Sequence, residues 1–393
     1  MDTVRFLKRL NDEIGSSAPS SRRLIIRFEN SQAFAACMNE WNRRKHVWTH
    51  LTGIQPLPII NGISISCAME AKRQLLAFPF IADVETDTKK RLQLGYQPNM
   101  SSHPASSRRP PVSPHIPWGV NQIRAPQAWR RATGHNVRVG VIDTGIDPSH
   151  PDLRRCIGRG INLVNRSIPP LDDNGHGTHI AGTIAGAGLQ QNGVIGVAPR
   201  ATIHAVKAFD SNGSAYVSDI IAGIDWCVQN DLDIINMSFG MKSYNKSLEL
   251  AVLNAFRSGK IIVASSGNDG RRSFIDYPAR FPQVISVGAT TRANKVAPFT
   301  NRGRRIDIFA PGENVYSAWL HGKYHELSGT SMATSHVSGV VALLLSVRPG
   351  LRTPQVKELL RRTSVMFEDS KKAGVTAGRI HARRAVAELL RGG

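Results

Sequence analysis

Two apolar rhythms divide this chain. In the larger, carboxyl-terminal part the β-branched run Val137-Arg-Val-Gly-Val-Ile142 reads as a buried parallel strand, and Ile261-Ile-Val-Ala264 as another. Longer apolar stretches follow polar positions: Ile180-Ala-Gly-Thr-Ile-Ala185, and Val337-Ser-Gly-Val-Val-Ala-Leu-Leu-Leu345, which is apolar all round and predicts a buried central helix. This mixture predicts an α/β fold with a doubly wound, mostly parallel sheet. In the amino-terminal part Leu24–Phe28 alternates like a half-buried strand, residues 32–43 suit an amphipathic helix, and Gly62–Cys67 is strand-like. Residues 69–78 suit a second helix and 81–87 a closing strand. With a further strand near Val47–Leu51 the order is β-α-β-β-α-β, a small α+β domain of ferredoxin-like form.

Between Asp87 and Pro117 the apolar rhythm stops in a segment rich in Pro, Ser, Arg and Lys, centred on Ser106-Ser-Arg-Arg-Pro-Pro-Val-Ser113, which reads as a linker. The expected organisation is a tail over 1–20, the small domain over 21–88, the linker over 89–115, the large domain over 116–385 and a tail over 386–393. A length of 393 residues accommodates this.

Composition adds three constraints. The formal net charge of +21 predicts attraction to polyanions, though no specific nucleic-acid motif accompanies it. The four cysteines, Cys37, Cys67, Cys156 and Cys227, are split between the two domains and are expected as free thiols. The amino terminus as written lacks the apolar core of a secretory signal, which predicts action inside the cell or export by another route; no segment reaches the roughly 18 apolar residues of a membrane span.

Candidate chemistry lies in three blocks: Val-Ile-Asp143-Thr-Gly, Asn174-Gly-His176-Gly-Thr-His179 and Gly329-Thr-Ser331-Met-Ala. Asp143 ends a predicted strand, and His176 and Ser331 open predicted helices. A serine hydroxyl needs an adjacent imidazole to take its proton, and the imidazole needs a carboxylate to set its tautomer and stabilise its cation. Asp143, His176 and Ser331 supply those types. A fourth segment, Ser265-Ser-Gly-Asn268-Asp-Gly270, ends the second strand; the Asn268 amide and the Ser331 backbone N–H are candidate donors to a developing oxyanion.

These four segments, with Ile146-Asp-Pro-Ser-His-Pro-Asp152-Leu, Gly196-Val-Ala-Pro199, Asn236-Met-Ser-Phe-Gly240 and Phe309-Ala-Pro-Gly312, resemble the subtilases, the subtilisin-like serine proteases (peptidase S8), over about 116–385. The resemblance implies a serine endopeptidase made as a zymogen, extracellular and monomeric. The small domain then acts as its intramolecular inhibitor, with self-cleavage after Arg91, Gln93, Leu94 or Tyr96. It implies that peptide substrates add as a strand between Gly213-Ser214-Ala215 and Ser238-Phe239-Gly240. It implies broad specificity, and it places Asp276 near the floor of the first specificity pocket and Asp269 on its rim, which adds a preference for basic residues to that for large apolar ones; the alternative is Asp276 turned to solvent or paired with Arg280. Structural calcium is implied at Asp152, with Gln190 and Asn192 from the following loop. One departure is Ser335, where the family usually has proline, which predicts a looser start to the Ser331 helix. Two other readings are weaker. A basic binding module on an inert protease fold has no need of triad, oxyanion donor and prodomain together. An esterase usually presents Gly-x-Ser-x-Gly with histidine last.

Overall fold

A computed structural model describes residues 2–15, 22–48, 50–68, 71–92, 114–189, 193–270, 274–368 and 376–392. The small domain comprises α1 (Thr3–Gly15), β1 (Arg22–Phe28), α2 (Ser31–Arg43), β2 (Gln55–Leu57), β3 (Gly62–Cys67), α3 (Ala71–Leu76) and β4 (Ile81–Thr86). Its antiparallel sheet has the order β2-β3-β1-β4, as the β-α-β-β-α-β pattern requires. Two expectations need correction. The strand anticipated near Val47–Leu51 lies later, at Gln55–Leu57, because Leu51–Gly53 forms a 3-10 turn that puts Leu51 into the core. The expected tail over 1–20 contains α1, whose Phe6, Leu7 and Leu10 are fully buried with Leu24, Ile26 and Phe80. Burial of each is worth about 1.5–3 kcal/mol, so this helix is part of the core.

The strand β5 (Lys89–Arg91) follows, then α4 (Trp118–Gln122), β6 (Arg138–Asp143), β7 (Ile161–Asn162), α5 (His176–Ala185), β8 (Thr202–Lys207), β9 (Ser214–Tyr216), α6 (Val217–Gln229), β10 (Ile234–Met237), α7 (Lys246–Arg257) and β11 (Ile261–Ser265). The chain continues through β12 (Ile285–Thr290), β13 (Ile308–Pro311), β14 (Val315–Ala318), β15 (Tyr324–Leu327), α8 (Thr330–Val347), α9 (Thr353–Thr363) and α10 (Ala382–Arg391). Seven strands form a parallel sheet in the order β13-β12-β11-β10-β6-β8-β7. Successive side chains sort to opposite faces: Val141, Ile234 and Val263 pack towards α5 and α8, while Ile142, Ile235 and Ile262 pack towards α6 and α7. α8 is buried for most of its length; among the described residues it is the one helix long and apolar enough to cross a membrane, and here it is the core helix. The expected tail over 386–393 is also corrected, since α10 runs to Arg391 and buries Val386 and Leu389.

β6 is the switch point of this sheet. From it the chain proceeds to β7 and β8 on one side and then to β10 on the other, opening a crevice at the carboxyl ends of β6 and β10. Asp143 stands at one lip and Ser238 just beyond the other. The small domain covers the outer helices: Ile25, Leu57 and Ile60 pack into the same cluster as Ile220, Ile221 and Leu248. Thus β1 uses both faces, Leu24 and Ile26 inward and Ile25 against the large domain.

Candidate active site

Each site residue is held at the end of an element. Asp143 is fully buried, and its Oδ1 accepts from its neighbour Thr144 N at 2.8 Å and from His176 Nδ1 at 2.7 Å. His176 opens α5, whose unpaired first-turn amides are gathered by a residue that the sequence reading missed. The Asp172 carboxylate accepts from the backbone N–H of Asn174, Gly175 and Thr178 and from the hydroxyls of Thr144 and Thr178. It therefore ties the Asp143 strand to the His176 helix. Gly177 is needed for this approach, because a Cβ there would lie 2.1 Å from the Gly145 carbonyl oxygen. Burial lowers the His176 pKa, but the Asp143 charge and hydrogen bond more than offset it, and the net value stands above that of a free imidazole.

Ser331 is the second residue of α8. Its Oγ donates to the Ser238 carbonyl at 2.7 Å, so the resting hydroxyl points to the β10 lip. That lip is itself fixed: Asn236 Nδ2 donates to Ser238 Oγ and Ser338 Oγ donates to Asn236 Oδ1, binding β10 to α8. Ser335 does not loosen the helix start. Its hydroxyl donates back to the Met332 carbonyl at 2.7 Å, and α8 begins at Thr330. Asn268 follows β11, and its Oδ1 accepts from Thr330 N at 2.9 Å and from Thr330 Oγ1 at 2.8 Å. This fixes which end of the amide is the acceptor and makes Nδ2 the donor edge. Thr330, also missed from sequence, was legible only as the middle of Gly-Thr-Ser. The other histidine of the His176 segment, His179, is fully buried and pushed down to about 3, so it stays neutral while Nε2 bonds the Val315 and His325 carbonyls.

On the substrate side, β9 is already paired. Lys89–Arg91 lies antiparallel on Ser214–Tyr216, Leu92 N donates to the Gly213 carbonyl at 2.7 Å, and Leu92 is buried. The linker expected over 89–115 thus begins as strand β5; residues 93–113, with the candidate bonds after Gln93, Leu94 and Tyr96, lie outside the described residues. Phe239 is buried against Phe209. Arg23 anchors the segment from the other side by pairing with Asp87 at 3.1 Å and Asp219 at 2.9 Å. Asp87 also accepts from Ser218 N and Oγ at the start of α6, and Glu85 from Lys246 N and Ser247 N at the start of α7. Two carboxylates of the small domain thereby satisfy two helix amino ends.

Asp276 is 2% exposed and packs against Gly240 and Gly267, the glycines that flank the Ser238 and Asn268 segments. Its Oδ2 has no hydrogen-bond partner among the described residues, and burial raises its pKa against the opposing charge of Lys242. It is neither turned to solvent nor paired through its side chain with Arg280, whose guanidinium lies over Phe274 and Tyr277. Its ionic partner is Lys242, 3.6 Å from Oδ1, which also pairs with Asp269.

Asp152 does not fit the calcium ligand expected of it. Its Oδ1 accepts from Leu189 N, and its Oδ2 accepts from Val194 N and from the Tyr324 hydroxyl, each at 2.8 Å. Calcium takes oxygen ligands, whereas the described residues that flank this loop, Leu189 and Val194, present N–H groups to Asp152. Gly193 is required beside it, because a Cβ added there would lie 2.4 Å from Asp152 Oδ1. Gln190 and Asn192 lie outside the described residues, and among those described no cluster of His, Cys, Asp or Glu has the form of a metal site. All four cysteines are free and buried, and burial holds Cys37 and Cys156 up to about 12, which makes them inert thiols.

Residues 134–383 match the Subtilase family, peptidase S8. The chain is 41% identical over 300 residues to the thermostable alkaline protease of Halalkalibacterium halodurans, covering 76% of this chain and 81% of that one. It is 42% identical over 260 residues to subtilisin E of Bacillus subtilis, covering 65% and 68%, and 42% identical over 249 residues to the minor extracellular protease Epr of the same species, covering 63% and 38%. With the family's match spanning most of the chain and a parallel sheet that presents Asp143, His176 and Ser331 at one crevice, this protein belongs to the subtilase family and is a subtilisin-like serine endopeptidase.

Proposed function

We propose that Asp143, His176 and Ser331 are the catalytic triad, that Asn268 Nδ2 and the Ser331 backbone N–H receive the oxyanion, and that the chain is a self-processing zymogen. The observation that carries the reading is the buried 2.7 Å contact between Asp143 Oδ1 and His176 Nδ1. It commits the Nδ1 proton to the carboxylate and leaves Nε2 as the basic nitrogen. For attack, the Ser331 hydroxyl turns from the Ser238 carbonyl towards Nε2, which takes the proton as Oγ bonds the substrate carbonyl carbon. The resulting imidazolium is stabilised by Asp143 and returns the proton to the leaving amine; water then repeats the sequence on the acyl-enzyme.

The zymogen reading is supported by the Lys89–Leu92 segment on the edge where an extended substrate would pair. In this reading the maturation bond is one of those after Arg91, Gln93, Leu94 or Tyr96. Substrates are proteins and peptides, bound as a strand between Gly213–Ala215 and Ser238–Gly240, with residues of basic side chain favoured before the cut because Asp276 stands behind Gly240. One relative is named as an extracellular protease, and by that likeness this enzyme acts outside the cell.

The test is intact mass and amino-terminal sequence of the purified protein and of Ser331→Ala. The expected result is a wild-type chain cut between Arg91 and His115 and a full-length variant without peptidase activity. A variant that is processed like wild type, or that retains its peptidase rate, refutes the nucleophile assignment.

A further inference from the structure

The floor of the specificity pocket contains a cation of the protein's own. Lys242 Nζ contacts Asp269 and lies 3.6 Å from Asp276 Oδ1, yet the lysine side chain is 57% exposed while that of Asp276 is 2% exposed. The two segments are held together by backbone: Met241 N and O pair with Tyr277 O and N at 2.8 and 2.9 Å, and Asp276 N donates to Ser266 O. Lys242 therefore starts from a fixed point beside Asp276, while its long side chain is free at the solvent end. One ammonium serves two carboxylates, and Asp276 Oδ2, buried between Gly240 and Gly267, has no partner among the described residues. A buried carboxylate oxygen with no donor, facing the glycines that line the crevice, is a site for an incoming donor.

We propose that Lys242 is a built-in competitor for this carboxylate pair, so that selectivity for lysine or arginine before the scissile bond depends on displacing the protein's own ammonium. The proposal rests on the reading of Asp276 as the pocket carboxylate and deepens it. With Lys242 in place, an apolar side chain enters a pocket whose negative charge is partly offset. A substrate lysine or arginine instead gives Asp276 the missing donor and releases Lys242 to Asp269 and solvent. The lysine thus narrows the difference between basic and apolar substrates and broadens specificity.

The experiment measures kcat/KM on peptides identical except for Arg, Lys or Leu before the cut, using wild type, Lys242→Ala, Lys242→Gln, Asp276→Asn and the Lys242→Ala/Asp276→Asn double variant. The expected result is an Arg/Leu ratio raised about fivefold by either Lys242 substitution, the scale of a half-exposed ion pair, and an effect that vanishes in the Asp276→Asn background. An unchanged or lowered ratio in both Lys242 variants, with Leu cleavage still measurable, overturns the proposal alone. A wild-type ratio insensitive to Asp276→Asn overturns the pocket assignment, and no cleavage of any peptide by wild type overturns the peptidase reading; either removes this inference with it.

Discussion

Replacing Asn268 by alanine separates the energetics of the oxyanion donor from those of the fold. In the resting protein the Asn268 side chain uses Oδ1 to accept from Thr330 N and Oγ1 at 2.9 and 2.8 Å, at the first turn of α8. The substitution thus has two effects of different kinds. It removes one donor to charge that develops only in the transition state, worth on the order of 10²–10³ in kcat, or about 2.7–4 kcal/mol, with KM little changed. It also leaves the buried Thr330 N–H and hydroxyl without their acceptor, which costs about 1–3 kcal/mol of stability. Thr330→Val divides these effects. It keeps the amide but deletes one of the two bonds that orient it, so kcat should fall only about tenfold, the scale of one lost hydrogen bond. In the double variant the kcat losses should be far from additive, because Thr330 acts through Asn268. The assay is active-site-titrated kcat and KM on one peptide, with thermal unfolding of each variant carrying Ser331→Ala to prevent self-digestion. A kcat for Asn268→Ala within threefold of wild type, or strictly additive losses, refutes the reasoning.

Three other outcomes follow from the geometry. In the proposed mechanism His176 is the base and works only when neutral, and its pKa stands above the free value, so kcat/KM should fall with acidity around a midpoint above 6.5; in Asp143→Asn, where burial acts without the opposing charge, the residual activity should show this limb at lower pH, and an unmoved limb would contradict the pairing. Because Asp152 is saturated by Leu189, Val194 and Tyr324, chelator should leave the unfolding midpoint of the Ser331→Ala protein unchanged, whereas Tyr324→Phe should lower stability by about 1 kcal/mol; a large loss with chelator would restore a calcium role. Arg23→Ala leaves Asp87 and Asp219 without their cation, costing about 3 kcal/mol of small-domain docking in thermal unfolding. Both carboxyl groups already have raised pKa values, chiefly through burial, so each takes up a proton more readily when docked; the variant's deficit should grow as pH rises through those values and shrink as pH falls.

The amino-acid sequence by itself determined what depends on local pattern. The β-branched runs specified buried strands and the all-apolar stretch after Ser331 specified the central helix, as the fold shows, while the segments around Asp143, His176, Asn268 and Ser331 pointed to a subtilase, the family the comparison shows. Tertiary structure decided what depends on which groups meet. Met1-Asp-Thr-Val-Arg-Phe-Leu reads as a charged tail until the small sheet offers Phe6, Leu7 and Leu10 an apolar surface. Ile25 reads as one residue of an alternating strand, and only docking shows that its outward face is an interface. Asp172 and Thr330 orient the catalytic segments through hydrogen bonds to backbone and side chains that no spacing rule identifies. Asp152 matches a calcium ligand by position, yet whether a loop turns its carbonyls or its amides towards a carboxylate is a property of backbone direction. The pairing of Lys242 with Asp276, 34 positions apart, arises because the loops that carry them are joined by the backbone bridge between Met241 and Tyr277. Local sequence sets propensity and chemical type, but charge partners and pocket floors are long-range contacts that exist only once the sheet has brought its carboxyl ends together.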